Sequence, residues 1–117
     1  MGLNTMSVYT FWNYHEIDRG VFDFETGNKN LSLFLELAEK HDMKVLIRPG
    51  PYVCAEWDLG GFPARLLGMK DLILRSNNPD YLEEVRIYFK AIAPIIRDHL
   101  WSTENPTKCI IMLQIEN

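Results

Sequence analysis

Three short apolar runs, separated by two stretches of helical periodicity, constrain this chain more than any other feature. Thr5 to Tyr9 is rich in β-branched and aromatic residues, Val45-Leu46-Ile47 is continuously apolar between Lys44 and Arg48, and Cys109 to Leu113 forms a third run. A strand that is apolar at every position has no face for water, so the middle run predicts a strand buried on both faces of a parallel sheet. Pro49 and Pro51 are expected to stop it. Between the first two runs, Leu31, Phe34, Leu35, Leu37 and Ala38 place apolar groups on one face of a helix ending near His41. Between the second and third, Asn78 as N-cap and Pro79 at the first helical position open another helix. Its apolar face is expected to run through Leu82, Val85, Phe89, Ile92 and Ile96, with Pro94 kinking or interrupting it. The order β, α, β, α, β implies parallel strands joined by right-handed crossovers, the unit shared by doubly wound sheets and (β/α)8 barrels.

Chemistry-bearing residues are placed where such folds use them. Polar and aromatic groups gather just beyond the C-terminal end of each strand: Tyr9 to Glu16, Tyr52 to Trp57, then Glu116 and Asn117. In parallel α/β folds that end carries the active site. The segment from Tyr9 to the first helix reads as a loop containing Gly20 and Gly27. The about 25 residues after Pro51, with Gly60, Gly61 and Pro63, form a second loop, long enough to be functional rather than idle. No glycine-rich turn leads from a strand directly into a helix, so neither a P-loop nor a dinucleotide fingerprint is present.

Composition narrows the function classes further. At 117 residues the chain is one domain or a piece of one, and 47% apolar with 24% charged residues is the balance of a folded protein. A net charge of -4 without a lysine or arginine cluster predicts no nucleic-acid partner and no anionic membrane surface. No apolar run approaches the roughly 18 residues of a membrane span, and no charged segment followed by an apolar stretch opens the chain. The two cysteines, Cys54 and Cys109, read as free thiols, and His15, His41 and His99 have no second ligand at helical or hairpin spacing. No metal and no cofactor are expected. Met6 stands where a myristoylation signal on Gly2 would need Ser or Thr, and Asn30-Leu31-Ser32 is a sequon of a kind that arises by chance.

Several blocks are more specific than periodicity. Gly2-Leu3-Asn4-Thr5, Tyr9-Thr10-Phe11-Trp12-Asn13-Tyr14-His15-Glu16, Arg48-Pro49-Gly50-Pro51-Tyr52-Val53-Cys54-Ala55-Glu56-Trp57, Gly60-Gly61-Phe62-Pro63 and Gln114-Ile115-Glu116-Asn117 follow one another in register. With Leu74-Arg75-Ser76 and Pro79-Asp80-Tyr81, they resemble glycoside hydrolase family 35 over essentially the whole chain. The resemblance implies a partial (β/α)8 barrel, contributing about three parallel strands and two helices, from an enzyme that removes terminal β-linked galactose with retention of configuration. Retention requires two carboxylates roughly 5 Å apart, one attacking the anomeric carbon and the other serving as acid and then base.

The resemblance puts the acid/base glutamate immediately after Asn117 and the nucleophile on a later strand, so no catalytic carboxylate is expected within the chain. Glu116 matches the residue before the asparagine, and strand alternation should turn it away from the pocket. The implied substrate-binding residues are Tyr9, Cys54, Ala55, Glu56 and Asn117. Glu56 would accept hydrogen bonds from vicinal sugar hydroxyls, Asn117 would donate one beside the reacting carbon, and Cys54 would contribute backbone only. Blander readings stand beside these: a solvated loop acid at Glu56, a core aromatic at Tyr9, packing roles for Trp12 and Trp57, and a structural hydrogen bond at His15-Glu16.

The chain departs from the family pattern at Ile17, where proline is frequent, at Arg65, where tryptophan is frequent, and at Asn105-Pro106-Thr107-Lys108, which lacks paired glycines. These bear on loop shape and aglycone preference. An eight-fold barrel needs roughly 250 residues, so residues 1–117 are expected to be an N-terminal-half segment of a catalytic barrel, truncated at both ends and inactive alone. The parent could be secreted, periplasmic or lysosomal, and its oligomeric state is not encoded here. A same-clan β-glycosidase acting on another sugar and a catalytically dead sugar-binding homologue stay open beside the galactosidase reading.

Overall fold

The computed structural model describes residues 1–117. In chain order it contains β1 (Thr5–Tyr9), a short helix α1 (Trp12–His15), β2 (Glu16–Asp18), β3 (Val21–Phe22), α2 (Leu31–Lys40), β4 (Lys44–Gly50), α3 (Pro79–Asp98) and β5 (Ile110–Ile115). Strands β1, β4 and β5 form one parallel sheet in the order β1-β4-β5, the arrangement of a partial (β/α)8 barrel. The alternation of apolar runs with helical periodicity dictates this arrangement, because parallel neighbours can be joined only through a crossover. β2 and β3 make a small antiparallel ribbon inside the segment expected to be a loop. No helix is long and apolar enough to cross a membrane.

β4 is the central strand, and Val45 and Ile47 are fully buried. Of the two prolines expected to stop it, Pro49 lies within the strand, which runs to Gly50 and ends directly before Pro51. Proline cannot donate to a ladder, and the register with β5 shifts between Ile47 and Gly50, so Pro49 sits where that pairing is already irregular. The two outer strands leave edges without a neighbour. Ile111, Met112, Leu113 and Ile115 of β5 are all about half exposed or close to it.

Both main helices bury part of the expected stripe and leave the rest of it aside. In α2 the core face is Leu31, Leu35 and Ala38, while Phe34 and Leu37 stay exposed. In α3 the buried residues are Tyr81, Glu84, Tyr88, Ile92 and Ile96, and Leu82 is exposed. The physical reason is aromatic: Tyr88 lies parallel to Trp12 with centroids 5.0 Å apart, and Tyr81 meets Phe62 edge-on at 6.0 Å. Those contacts put Tyr81 and Tyr88 on the core face in the first half of α3, with Val85 and Phe89 partly buried beside them, while Ile92 and Ile96 are buried as expected. Asn78 caps α3 as expected, its Oδ1 accepting from Tyr81 N at 3.0 Å. Pro94 does not interrupt the helix, which continues to Asp98.

Candidate functional site

The C-terminal ends of the three parallel strands are tied together by the main chain. Thr10 N donates to Arg48 O at 3.2 Å, and Glu116 N donates to Gly50 O at 2.8 Å. This brings Tyr9, at the end of β1, to the same end of the sheet as Asn117, just past β5. The connection between them is Arg48, on the strand in the middle. Its Nη1 donates to Tyr9 Oη and its Nη2 donates to Asn117 Oδ1. The guanidinium carbon also lies 4.3 Å from the Tyr9 ring centroid, so the pair adds a cation–π contact.

Arg48 was not singled out as a site residue from the sequence. The available signal was its position, a charge at the C-terminal end of an otherwise apolar central strand. Its bond to Asn117 has a chemical consequence. The Asn117 carboxamide oxygen accepts from Arg48 and, at 3.4 Å, from Gln114 Nε2. With its oxygen engaged, the amide presents its NH2 group as the donor.

The second wall is a turn of unusual backbone. Cys54, Ala55 and Glu56 have φ of 58°, 53° and 48°, three consecutive non-glycine residues in the left-handed region. Each such residue costs about 1–2 kcal/mol. The turn is closed by Trp57 N to Cys54 O at 3.1 Å, and Val53 N to Gly60 O at 2.8 Å fixes its base. Backbone held in sparsely populated conformations concentrates at ligand-binding sites, which is the physical interest of this segment. Cys54 and Glu56 are exposed, and no ion pair involves Glu56.

Aromatic rings link the two walls. Tyr9 stacks on Phe11 with centroids 6.0 Å apart, and Phe11 stacks on Trp57 at 4.1 Å. Trp57 Nε1 donates to Asn13 Oδ1 at 2.9 Å, so this ring is held from its edge and packs on its face. Trp12 is fully buried against Tyr88 and cannot offer a face to a sugar. His15 and Glu16 are likewise engaged within the protein. The His15 Nδ1 pairs with Asp23 O at 2.9 Å, and Glu16 accepts from Arg65 Nη2 at 2.8 Å and Nε at 2.9 Å.

Glu116 is placed by a different cause from the one expected. β5 ends at Ile115, and Glu116 has φ of 62°, so strand alternation no longer governs its direction. Its carboxylate is instead held by Arg75, at 2.6 Å from Nη2 and 3.1 Å from Nε.

A second polar cluster lies at the opposite, N-terminal end of the sheet. Ligand atoms of Glu39, His99 and Cys109 fall within 4.8 Å of one another, a grouping across three elements that sequence spacing could not show. Glu39 is already engaged, by His99 Nδ1 at 2.8 Å and Lys108 Nζ at 3.3 Å. Burial first, and the Glu39 charge second, push the Cys109 thiol up to about 11. Through Glu39, His99 and Lys108, and through Cys109 Sγ to Leu35 O at 3.6 Å, the cluster links α2, the end of α3 and the start of β5.

Comparison with known proteins decides the family. The model of glycosyl hydrolases family 35 matches residues 1–117. The chain belongs to that family. It is 42% identical over 116 residues to a β-galactosidase of Bos taurus, covering 99% of this chain and 17% of that protein. It is 48% identical over 118 residues to β-galactosidase 17 of Arabidopsis thaliana, covering 100% of this chain and 16% of that relative. A β-galactosidase of Xanthomonas manihotis is 40% identical over 117 residues, 19% of its length. This family 35 chain therefore spans under a fifth of the relatives it matches. Its three-stranded parallel sheet with crossover helices is the corresponding part of an α/β barrel.

Proposed function

We propose that the protein containing this chain is a retaining β-galactosidase and that residues 1–117 are an N-terminal-half segment of its catalytic barrel, supplying one wall of the galactose site. Tyr9, the Cys54-Ala55-Glu56 turn and Asn117 bind the sugar. The observation that carries the reading is the Tyr9–Arg48–Asn117 hydrogen-bonded row across the C-terminal ends of three parallel strands, beside an exposed left-handed turn. Glu56 accepts hydrogen bonds from vicinal hydroxyls, which a carboxylate does better than a neutral acceptor. Asn117, its amide oxygen occupied, donates to a hydroxyl next to the anomeric carbon, where a bond that tightens in the transition state raises kcat.

Two carboxylates about 5 Å apart on either side of the glycosidic bond are needed for retention. Glu116 is not assigned as one, since its carboxylate is turned to Arg75, 2.6 Å from Nη2. The acid/base glutamate follows Asn117 and the nucleophile lies on a later strand, so the segment alone binds weakly at best and does not turn over. The test is hydrolysis of aryl β-galactosides, with the matching β-glucosides alongside, by the full-length protein and by a variant in which the residue after Asn117 is made glutamine. Turnover of the galactoside that collapses in the variant supports the reading. Preference for the glucoside assigns another β-glycosidase, and galactose binding without turnover assigns a sugar-binding homologue.

A further inference from the structure

We propose that Arg75 is a positioning residue for the sugar-binding end of β5, acting through Glu116 and the main chain of Asn117; this rests on Asn117 being a sugar contact, as proposed above. The strand ends at Ile115, Glu116 N still donates to Gly50 O at 2.8 Å, and the left-handed Glu116 then turns the chain out of the sheet direction at Asn117. Arg48 fixes the Asn117 side chain but not its backbone. Arg75 supplies the rest. Its Nη2 donates to Glu116 Oε2 at 2.6 Å and to Asn117 O at 2.6 Å, and its Nε donates to the same carboxylate oxygen at 3.1 Å. Asn117 N also donates to Oε2, at 3.1 Å, while Oε1 is buried without a partner, so Arg75 is the side chain that holds this carboxylate against the Asn117 main chain.

Arg75 is itself held on its other face. Its guanidinium lies 4.1 Å from the centroid of Tyr52, and Tyr52 is pressed against Gly60 at the base of the Cys54-Ala55-Glu56 turn. The planar fork thus joins the end of β5 to the loop that carries Glu56, a task a lysine's point charge does poorly. Within residues 1–117 the side chains of Arg75 and Glu116 are 43% and 38% exposed, and ion pairs this open contribute little to stability. Positioning and stability should therefore separate in measurement.

The experiment uses the full-length protein with R75A, R75K, N117A and the R75A/N117A double variant, read as kcat/KM on an aryl β-galactoside together with Tm. R75A is expected to lower kcat/KM about 10- to 100-fold, the cost of a lost supporting contact or of a misplacement near 1 Å. Tm should stay within about 2 °C. R75K should recover only part of the activity. In the N117A background the R75A loss should shrink to about twofold or less, because the residue it positions is gone. An undiminished loss in that background, or a Tm that falls in step with activity, overturns the inference while leaving the galactosidase reading intact. A wild-type protein that neither hydrolyses a β-galactoside nor binds galactose would overturn both.

Discussion

Gly60→Ala should be among the most damaging single-methyl changes in the chain, and the structure says why. Gly60 has φ of 59°, and a Cβ built there would lie 2.0 Å from Tyr52 Cε2, 2.6 Å from Cδ2 and 2.7 Å from Cζ. The ring cannot simply swing aside. Phe62 packs on it with centroids 5.5 Å apart, and the Arg75 guanidinium covers it at 4.1 Å. Left-handed backbone costs an alanine about 1–2 kcal/mol, and forcing a methyl into packed space adds about 1–3 kcal/mol. A loss of about 2–5 kcal/mol is expected, read as a lowered urea midpoint at constant slope. Gly68 is the internal control, since a Cβ there meets nothing within 4 Å and its φ is not positive, so Gly68→Ala should shift stability by about 1 kcal/mol or less. The clash is isolated by repeating Gly60→Ala in a Tyr52→Ala background, where only the backbone part, about 1–2 kcal/mol, should persist. Equal costs for Gly60→Ala and Gly68→Ala, or an undiminished cost without the Tyr52 ring, would refute the reasoning.

Three further outcomes follow from named contacts. Glu84, 1% exposed and bonded to Arg19 and Arg65, should lose about 1–3 kcal/mol on Glu84→Gln by urea unfolding; the figure is kept below that of a fully buried pair because Arg19 is 58% exposed. Stability should fall with pH in two stages: burial, then the Lys29 charge, hold the His15 imidazole low against the Asp23 carbonyl bond, so the unfolded chain protonates first and stability declines below about 6.5. Burial alone would raise Glu39 and Glu84, but hydrogen bonds from His99 and Lys108, and from Arg19 and Arg65, hold both low, so their contribution is present above about 4.5 and lost as pH falls through the folded values. A midpoint–pH curve shows both stages, and His15→Gln should flatten only the upper one. Pro94→Ala should raise stability by about 1–2 kcal/mol in thermal or urea unfolding, restoring a helical N–H at an exposed site while giving back part of the gain to unfolded-chain entropy.

What the sequence made legible was whatever depends on local pattern. The three strands, the Asn78 cap and the clustering of Tyr9, Cys54, Ala55, Glu56 and Asn117 at strand C-termini could all be read from runs, caps and motif blocks. The turn of α3 could not, because Tyr81 and Tyr88 are buried by partners, Phe62 and Trp12, that are distant in sequence. Pro49 lies inside the strand for the same reason: whether a proline ends a strand depends on whether its neighbour needs a donor there, and β5 does not, so the strand ends only before Pro51. Arg48 and Arg75 were passed over because an arginine's role lies at the far end of a long side chain, and nothing in spacing shows what it reaches.

Arg65 illustrates the same limit from the other side. Its Nη1 reaches Glu84 at 2.6 Å and its Nη2 reaches Glu16 at 2.8 Å, with Arg19 closing the network on Glu84. Seen with its partners, it is the group that makes a 1%-exposed Glu84 tolerable on the core face of α3, since a carboxylate buried there without it would keep only the mostly exposed Arg19. The charge at 65 and the acid at 84 are therefore one feature written at two positions. Replacing Arg65 by tryptophan should be harmful unless Glu84 is neutralised with it, because Glu84 would keep only the mostly exposed Arg19 as a partner.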